Sequence, residues 1–125
     1  MNAAIRARVR LRAGDRCEYC RLRQTQELSV PLHVEHITAR QHAGDDDLEN
    51  LAIACSHCNL HKGTNLTSID PESGQIVSLF HPRQQQWGEH FETRGAVILG
   101  LTAIGRATVR LLNMNTPKRR RLRGS

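Results

Sequence analysis

Apolar residues come in short bursts along this chain, separated by longer polar stretches, and each burst predicts a small element. In "NAAIRARVRLRAG", Ile5 and Val9 stand four apart among arginines, the spacing of one helix face. Asn2 is a natural cap for that helix, Ala13 its end, and Gly14 its stop. "GDRCEYC" reads as a tight knuckle turn. Residues 30–37, "VPLHVEHI", partly alternate and predict an extended segment. "QHAGDDDLEN" is a polar loop, and "NLAIAC" is a second short extended run. Ser56 is expected to cap a short helix, "HCNLHK", that Gly63 ends. The order to this point is extended, loop, extended, helix.

Beyond Gly63 the texture changes. "SIDPESGQIVSLF" predicts a hairpin turning between Pro71 and Gly74, and "GAVILGL" predicts a buried strand. Thr102 is expected to cap a last helix with Ile104, Thr108 and Leu111 at helical spacing. Pro117 is expected to end it, leaving "KRRRLRGS" as a basic, disordered tail. There is no internal repeat.

Composition then narrows the picture. A chain of 125 residues with 3% aromatics has few large apolar side chains, so a metal or a cross-link is expected to support its core. A net charge of +6 suits a polyanionic partner, nucleic acid being the simplest. No run is long and apolar enough for a membrane span. The Arg-rich start faintly resembles a transit peptide, but it lacks Ser and runs straight into a Cys motif; it reads as a domain helix in a cytoplasmic protein.

The four cysteines form two pairs, Cys17-x2-Cys20 and Cys55-x2-Cys58. Each pair supplies one edge of a tetrahedral thiolate site, so a structural Zn2+ is expected to clamp the start of the extended-loop-helix unit to its end. Two rival ligand schemes use fewer cysteines. A two-Cys two-His finger through His33 and His36 would leave Cys55 and Cys58 idle. A zinc deaminase site through His33, Glu35, Cys55 and Cys58 would strand Cys17 and Cys20, and Ala54 stands where its signature has Pro. The four-Cys scheme leaves His33, Glu35 and His36 for other work.

Taken together, "VEHI" (34–37), "LENLAIAC" (48–55), "CSHCNLHKG" (55–63) and the upstream Cys pair resemble the HNH endonuclease family, the ββα-metal nucleases. The resemblance covers about residues 15–64. It implies an α+β fold: a small zinc-stapled ββα-metal core with an N-terminal helix and a C-terminal strand/helix extension. On this reading residues 1–116 are one nuclease domain (core about 15–64, extension 65–116) and 117–125 are the tail. The resemblance also implies roles. His36 takes the place of the general base, Glu35 and Asn59 those of ligands to a catalytic Mg2+ or Mn2+, and Asn50 that of the residue bracing the loop between the strands. Where family members carry His or Asn, Asn59 makes this an H-N-N variant.

The implied reaction is hydrolysis of phosphodiester bonds in DNA. A neutral imidazole accepts a proton from water near pH 7, and a divalent ion offsets charge on the leaving 3′ oxygen. The start of the Ser56 helix is expected to favour a phosphate, with His61 and Lys62 touching the backbone. Arg16, Arg21, Arg23 and Arg40 are further candidates for phosphate contacts, and the tail residues Lys118 to Arg123 for nonspecific affinity. Glu35 and His36 point to opposite faces of a regular strand, which leaves His33 as an alternative ligand. His33, His42, His57, His81 and His90 otherwise read as surface or structural residues. The alternative function is a non-catalytic zinc-stapled nucleic-acid-binding module. Little sequence specificity is expected, and oligomeric state is not readable.

Overall fold

The computed structural model describes residues 1–124. Helix α1 (Ala3–Ala13) begins where the Asn2 side chain accepts the Ile5 amide at 2.9 Å and stops at Gly14, whose φ of +67° suits a residue without a Cβ. Val9 and Ala13 are its buried residues. Arg10 and Arg12 lie alongside the core and donate to the Leu32 and Leu51 carbonyls at 2.9 and 2.7 Å. Charged heads thereby satisfy backbone acceptors while their stems cover apolar surface.

Strand β1 (His33–His36) pairs antiparallel with β2 (Leu51–Ala54), placing His33 opposite Ala54 and His36 opposite Leu51. β2 is buried throughout, as its apolar sequence requires. Along β1 the only buried residue is Glu35. Helix α2 (Ser56–Lys62) follows β2 directly. Its cap is Cys55, not Ser56: the Cys55 Sγ accepts the Cys58 amide at 3.3 Å. The knuckle sulfur does what a cap hydroxyl would have done, and Ser56 becomes the first helical residue.

The extension begins with a hairpin of β3 (Thr67–Ile69) and β4 (Ile76–Ser78), turning where expected: Gly74, at φ +75°, donates to the Asp70 carbonyl at 2.8 Å. A short helix α3 (Trp87–His90) leads into β5 (Phe91–Arg94), which pairs with β6 (Val97–Gly100) around Gly95. The sequence pattern showed only β6. "FETR" hides β5 because three of its four residues are polar and only Phe91 is buried. Helix α4 (Ala103–Leu111) is capped by Thr102, which accepts the Gly105 amide at 3.1 Å. It packs so closely against the end of α3 that a Cβ on Gly105 would fall 2.0 Å from the His90 carbonyl oxygen, and 3.2 Å from the Gly100 Cα of β6. Arg106 binds Asp70 through two nitrogens at 2.9 and 3.0 Å, tying α4 to the β3–β4 hairpin.

The expected disordered tail is instead a helix, α5 (Pro117–Arg123); Ser125 lies outside the described residues. α4 ends at Leu111, well before Pro117, and Pro117 opens the next helix rather than ending the last. Thr116 accepts the Arg119 amide at 3.2 Å as its cap. The run of arginines is ordered by what it meets, since Arg119 is buried against acceptors described below. Phe91, Ile98, Leu112 and Met114 from the extension share one core with Tyr19, Leu22, Leu51, Ile53 and the four cysteines. The extension thus closes over the knuckle region and supplies the apolar mass that the ββα unit lacks. Trp87 seals the junction with an N–H donated to the Tyr19 carbonyl at 2.8 Å.

Candidate active site

The Sγ atoms of Cys17, Cys20, Cys55 and Cys58 all lie within 4.8 Å of one another, and Cys20 and Cys55 are 3.7 Å apart. A tetrahedron with zinc–sulfur bonds of about 2.3 Å has edges of about 3.8 Å, so this donor set fits Zn2+. Neither rival scheme survives, because His33 is exposed and His36 is engaged elsewhere. Four thiolates around one Zn2+ leave a net charge of about −2, and Arg119 stands beside it. Its Nη2 donates to the Cys55 Sγ at 3.2 Å, and its Nη1 lies 3.3 Å from both carboxylate oxygens of Glu27. Sequence reasoning missed this residue, because an Arg run at a chain end looks solvated.

Between the end of β1 and α2 lies a cleft of about 410 Å³, lined by Glu35, His36, Arg40 and Asn59 among others. Three residues expected at a catalytic site thus border one cleft, although the Glu35 side chain is buried beneath it. His36 projects toward solvent, and its Nε2 lies 2.7 Å from Asp46 Oδ1. Arg40 holds the same carboxylate at 3.0 and 3.1 Å. The hydrogen bond with His36 is the main reason the Asp46 carboxyl titrates below its ordinary range. Asp46 went unnoticed in the sequence because three consecutive Asp in a polar loop do not reveal which one turns back.

The loop is fixed by Asn50. Its Oδ1 accepts the Thr38 amide at 2.8 Å, and its Nδ2 donates to the carbonyls of Thr38 and Asp45 at 3.0 and 2.8 Å. One side chain therefore joins both ends of the segment that carries Asp46.

Glu35 points inward, as the strand's alternation demands. Its side chain accepts from the Tyr19 hydroxyl and pairs with Lys62 Nζ at 3.3 Å. Burial pushes the Glu35 carboxyl up, against the opposing pull of Lys62 and Tyr19. Lys62 is only 3% exposed and also donates to the Ile37 carbonyl at 3.0 Å, so it does not face a phosphate as expected. His61 turns back to the His57 carbonyl at 2.8 Å. Nor does the start of α2 offer a phosphate site. Its Cys58 amide is spent on sulfur, and the cleft meets α2 at Asn59 and Gly63 instead. Asn59 makes no side-chain hydrogen bond among the described residues, which leaves its carboxamide oxygen open to the cleft.

Four further histidines are hydrogen-bonded within the protein. His42 meets the Thr64 carbonyl, His57 the Asn113 carbonyl, His81 accepts the Arg83 and Gln84 amides, and His90 bonds Thr102. Of the flanking arginines, Arg40 reaches the cleft, Arg16 and Arg21 line a different cavity, and Arg23 is exposed. Among the described residues no helix is long and apolar enough to cross a membrane. Searches of curated proteins and of solved structures found no match to the chain. Residues 17–65, which run from the first knuckle cysteine to just past α2, match the family model of the HNH endonucleases.

Proposed function

We propose that this chain is a metal-dependent endonuclease that hydrolyses phosphodiester bonds in DNA, with His36 as the general base. The observation that carries the reading is the cleft itself: an imidazole oriented by a carboxylate, on a cleft that Asn59 and the buried Glu35 also line. With Nε2–H donated to Asp46, the Nδ1 lone pair of His36 is the free proton acceptor. Asp46 then does two things: it holds the imidazole in that tautomer, and it stabilises the imidazolium formed when Nδ1 takes a proton from the attacking water. Asn50 keeps Asp46 at the required place by bracing its loop.

Glu35 and Asn59 fit an oxygen-ligated ion such as Mg2+ or Mn2+. Both are oxygen donors, and a carboxylate oxygen has a second lone pair beyond the one that Tyr19 or Lys62 engages. Such an ion supplies Lewis-acid stabilisation of the leaving 3′ oxygen when bound. Structural Zn2+ at the four cysteines fixes the start of α2, and hence Asn59, relative to β1.

A second reading is a non-catalytic, zinc-stapled nucleic-acid-binding module. It is favoured by Glu35, whose two oxygens already have protein partners. Incubation of supercoiled plasmid with the zinc-loaded protein separates the two. The nuclease reading expects nicked or linear product only on addition of Mg2+ or Mn2+. Plasmid binding without cleavage, whichever divalent ion is added, would establish the module instead.

A further inference from the structure

A second cavity, of about 180 Å³, opens between the C-terminal end of α1 and α3 and shares no lining residue with the cleft. Arg12, Arg16 and Arg21 line it, together with Glu18 and Trp87. Glu18 is the lining's one carboxylate, and its oxygens are already taken: the Ile53 amide donates to one at 2.8 Å, and Arg83 pairs with the other. Among the described residues, the three lining arginines have no carboxylate partner of their own. Desolvation and then the neighbouring Arg16 push the Arg21 guanidinium down, and desolvation and then Arg12 push Arg83 down to about 10. Positive charge is crowded here, with Glu49 the carboxylate that acts on Arg12.

The backbone adds an independent observation. Arg21 sits at φ +68°, where a side chain meets steric resistance and glycine meets none. The knuckle requires that conformation, since the Arg21 amide closes the turn onto the Cys17 carbonyl at 3.0 Å. Glycine would meet the requirement without strain, so an arginine here points to a use for its side chain. That side chain lies over the Trp87 ring, 4.8 Å from its centroid, which fixes where its donors point.

We infer that this cavity is a phosphate-binding subsite, built by Arg12, Arg16 and Arg21, that seats a backbone phosphate of the nucleic acid engaged at the cleft. Forked guanidiniums suit a tetrahedral oxyanion that accepts from several donors at once. The volume holds a phosphate group and not a nucleoside, and Arg21 covers the Trp87 face on which a base would stack. Arg12 also links the two sites. Its Nη2 donates to the Leu51 carbonyl, and Leu51 is the strand partner of His36. The assignment of the phosphate to nucleic acid, but not the anion site itself, rests on the nuclease reading.

Trp87 is the only tryptophan, so its fluorescence reports on this cavity directly. The zinc-loaded protein, without added Mg2+ or Mn2+, is titrated with a 20-base-pair duplex at several salt concentrations, and separately with inorganic phosphate. Arg21→Gly and Arg16→Gln are compared with the wild type. The duplex is expected to shift Trp87 emission, and each variant to reduce the salt slope of binding by about one. Arg21→Gly keeps its zinc, because glycine suits φ +68°; Arg16→Gln gives the same test away from the knuckle strain. A duplex that binds both variants with the wild-type slope overturns the subsite while leaving the cleft's chemistry untouched. A Trp87 response to inorganic phosphate but not to duplex overturns the nucleic-acid source. Reduced slopes in a protein that never cleaves plasmid would uphold the subsite and remove the nuclease reading.

Discussion

Glu35 and His36 are neighbours in sequence with opposite surroundings, and much of the chemistry follows from that. Strand alternation buries the first and leaves the second half-buried at the surface. The half-buried His36 still lines the open cleft, and Asp46 decides its tautomer. Asp46→Asn keeps the shape but exchanges the acceptor, so the cleavage rate is expected to fall by roughly tenfold or more. The same variant has a pH signature. The Asp46 carboxyl is lowered from 3.8, so its contribution to folding is present above that value and lost as pH falls through its lower folded value. Urea titrations should therefore show Asp46→Asn less stable than wild type near pH 6, with the gap closing as pH falls through the lowered folded-state value. Buried Glu35 depends on Lys62. Lys62→Met leaves the carboxylate without its cation and should cost about 3–5 kcal/mol in a urea titration, with partial recovery on adding Glu35→Gln. Sequence made the candidate catalytic side chains legible, because their types and spacing are chemically unusual. It hid their partners: Asp46, Tyr19 and the inward turn of Lys62 are contacts between distant segments, and no local pattern encodes them.

At the scale of elements, the helices and hairpins that follow local rules were readable. Asn2, Gly14 and Thr102 cap as their side chains allow, and the Pro71–Gly74 turn forms where its residues favour it. The misreadings have one physical source, tertiary contacts that override local polarity. β5 is polar by composition and exists because Phe91 anchors it. α5 is basic by composition and is ordered because Arg119 finds Glu27 and the Cys55 sulfur. Arg119 therefore acts as an outer support of the metal site. Arg119→Ala is expected to weaken Zn2+ retention by about 10- to 100-fold in a chelator competition, in line with the loss of other outer-shell partners. Unchanged retention would mean that α5 merely covers the site.

For the whole molecule, scarce aromatics and paired cysteines predict a core that leans on metal, and the structure gathers the four sulfurs into a cluster that fits one. The four cysteines belong to the same apolar cluster as buried residues of α1 and the extension. What the sequence did not show is that the extension completes that core, since its contribution is five scattered residues, Phe80, Phe91, Ile98, Leu112 and Met114, and not a motif. The basic balance of the chain likewise resolves into places: Arg40 at the cleft, Arg12, Arg16 and Arg21 at the second cavity, and Arg119 at the thiolates. Charge alone said only that an anion was wanted.

The most direct measurement is the rate of plasmid cleavage, with saturating Mg2+ or Mn2+, by wild type and His36→Ala, zinc content being determined on the same samples. His36→Ala should retain one Zn2+ per chain while its rate falls by about 10²- to 10⁴-fold, the range expected for loss of a general base. Cleavage at the wild-type rate by a zinc-loaded His36→Ala protein would contradict the assignment of His36 as the group that activates water.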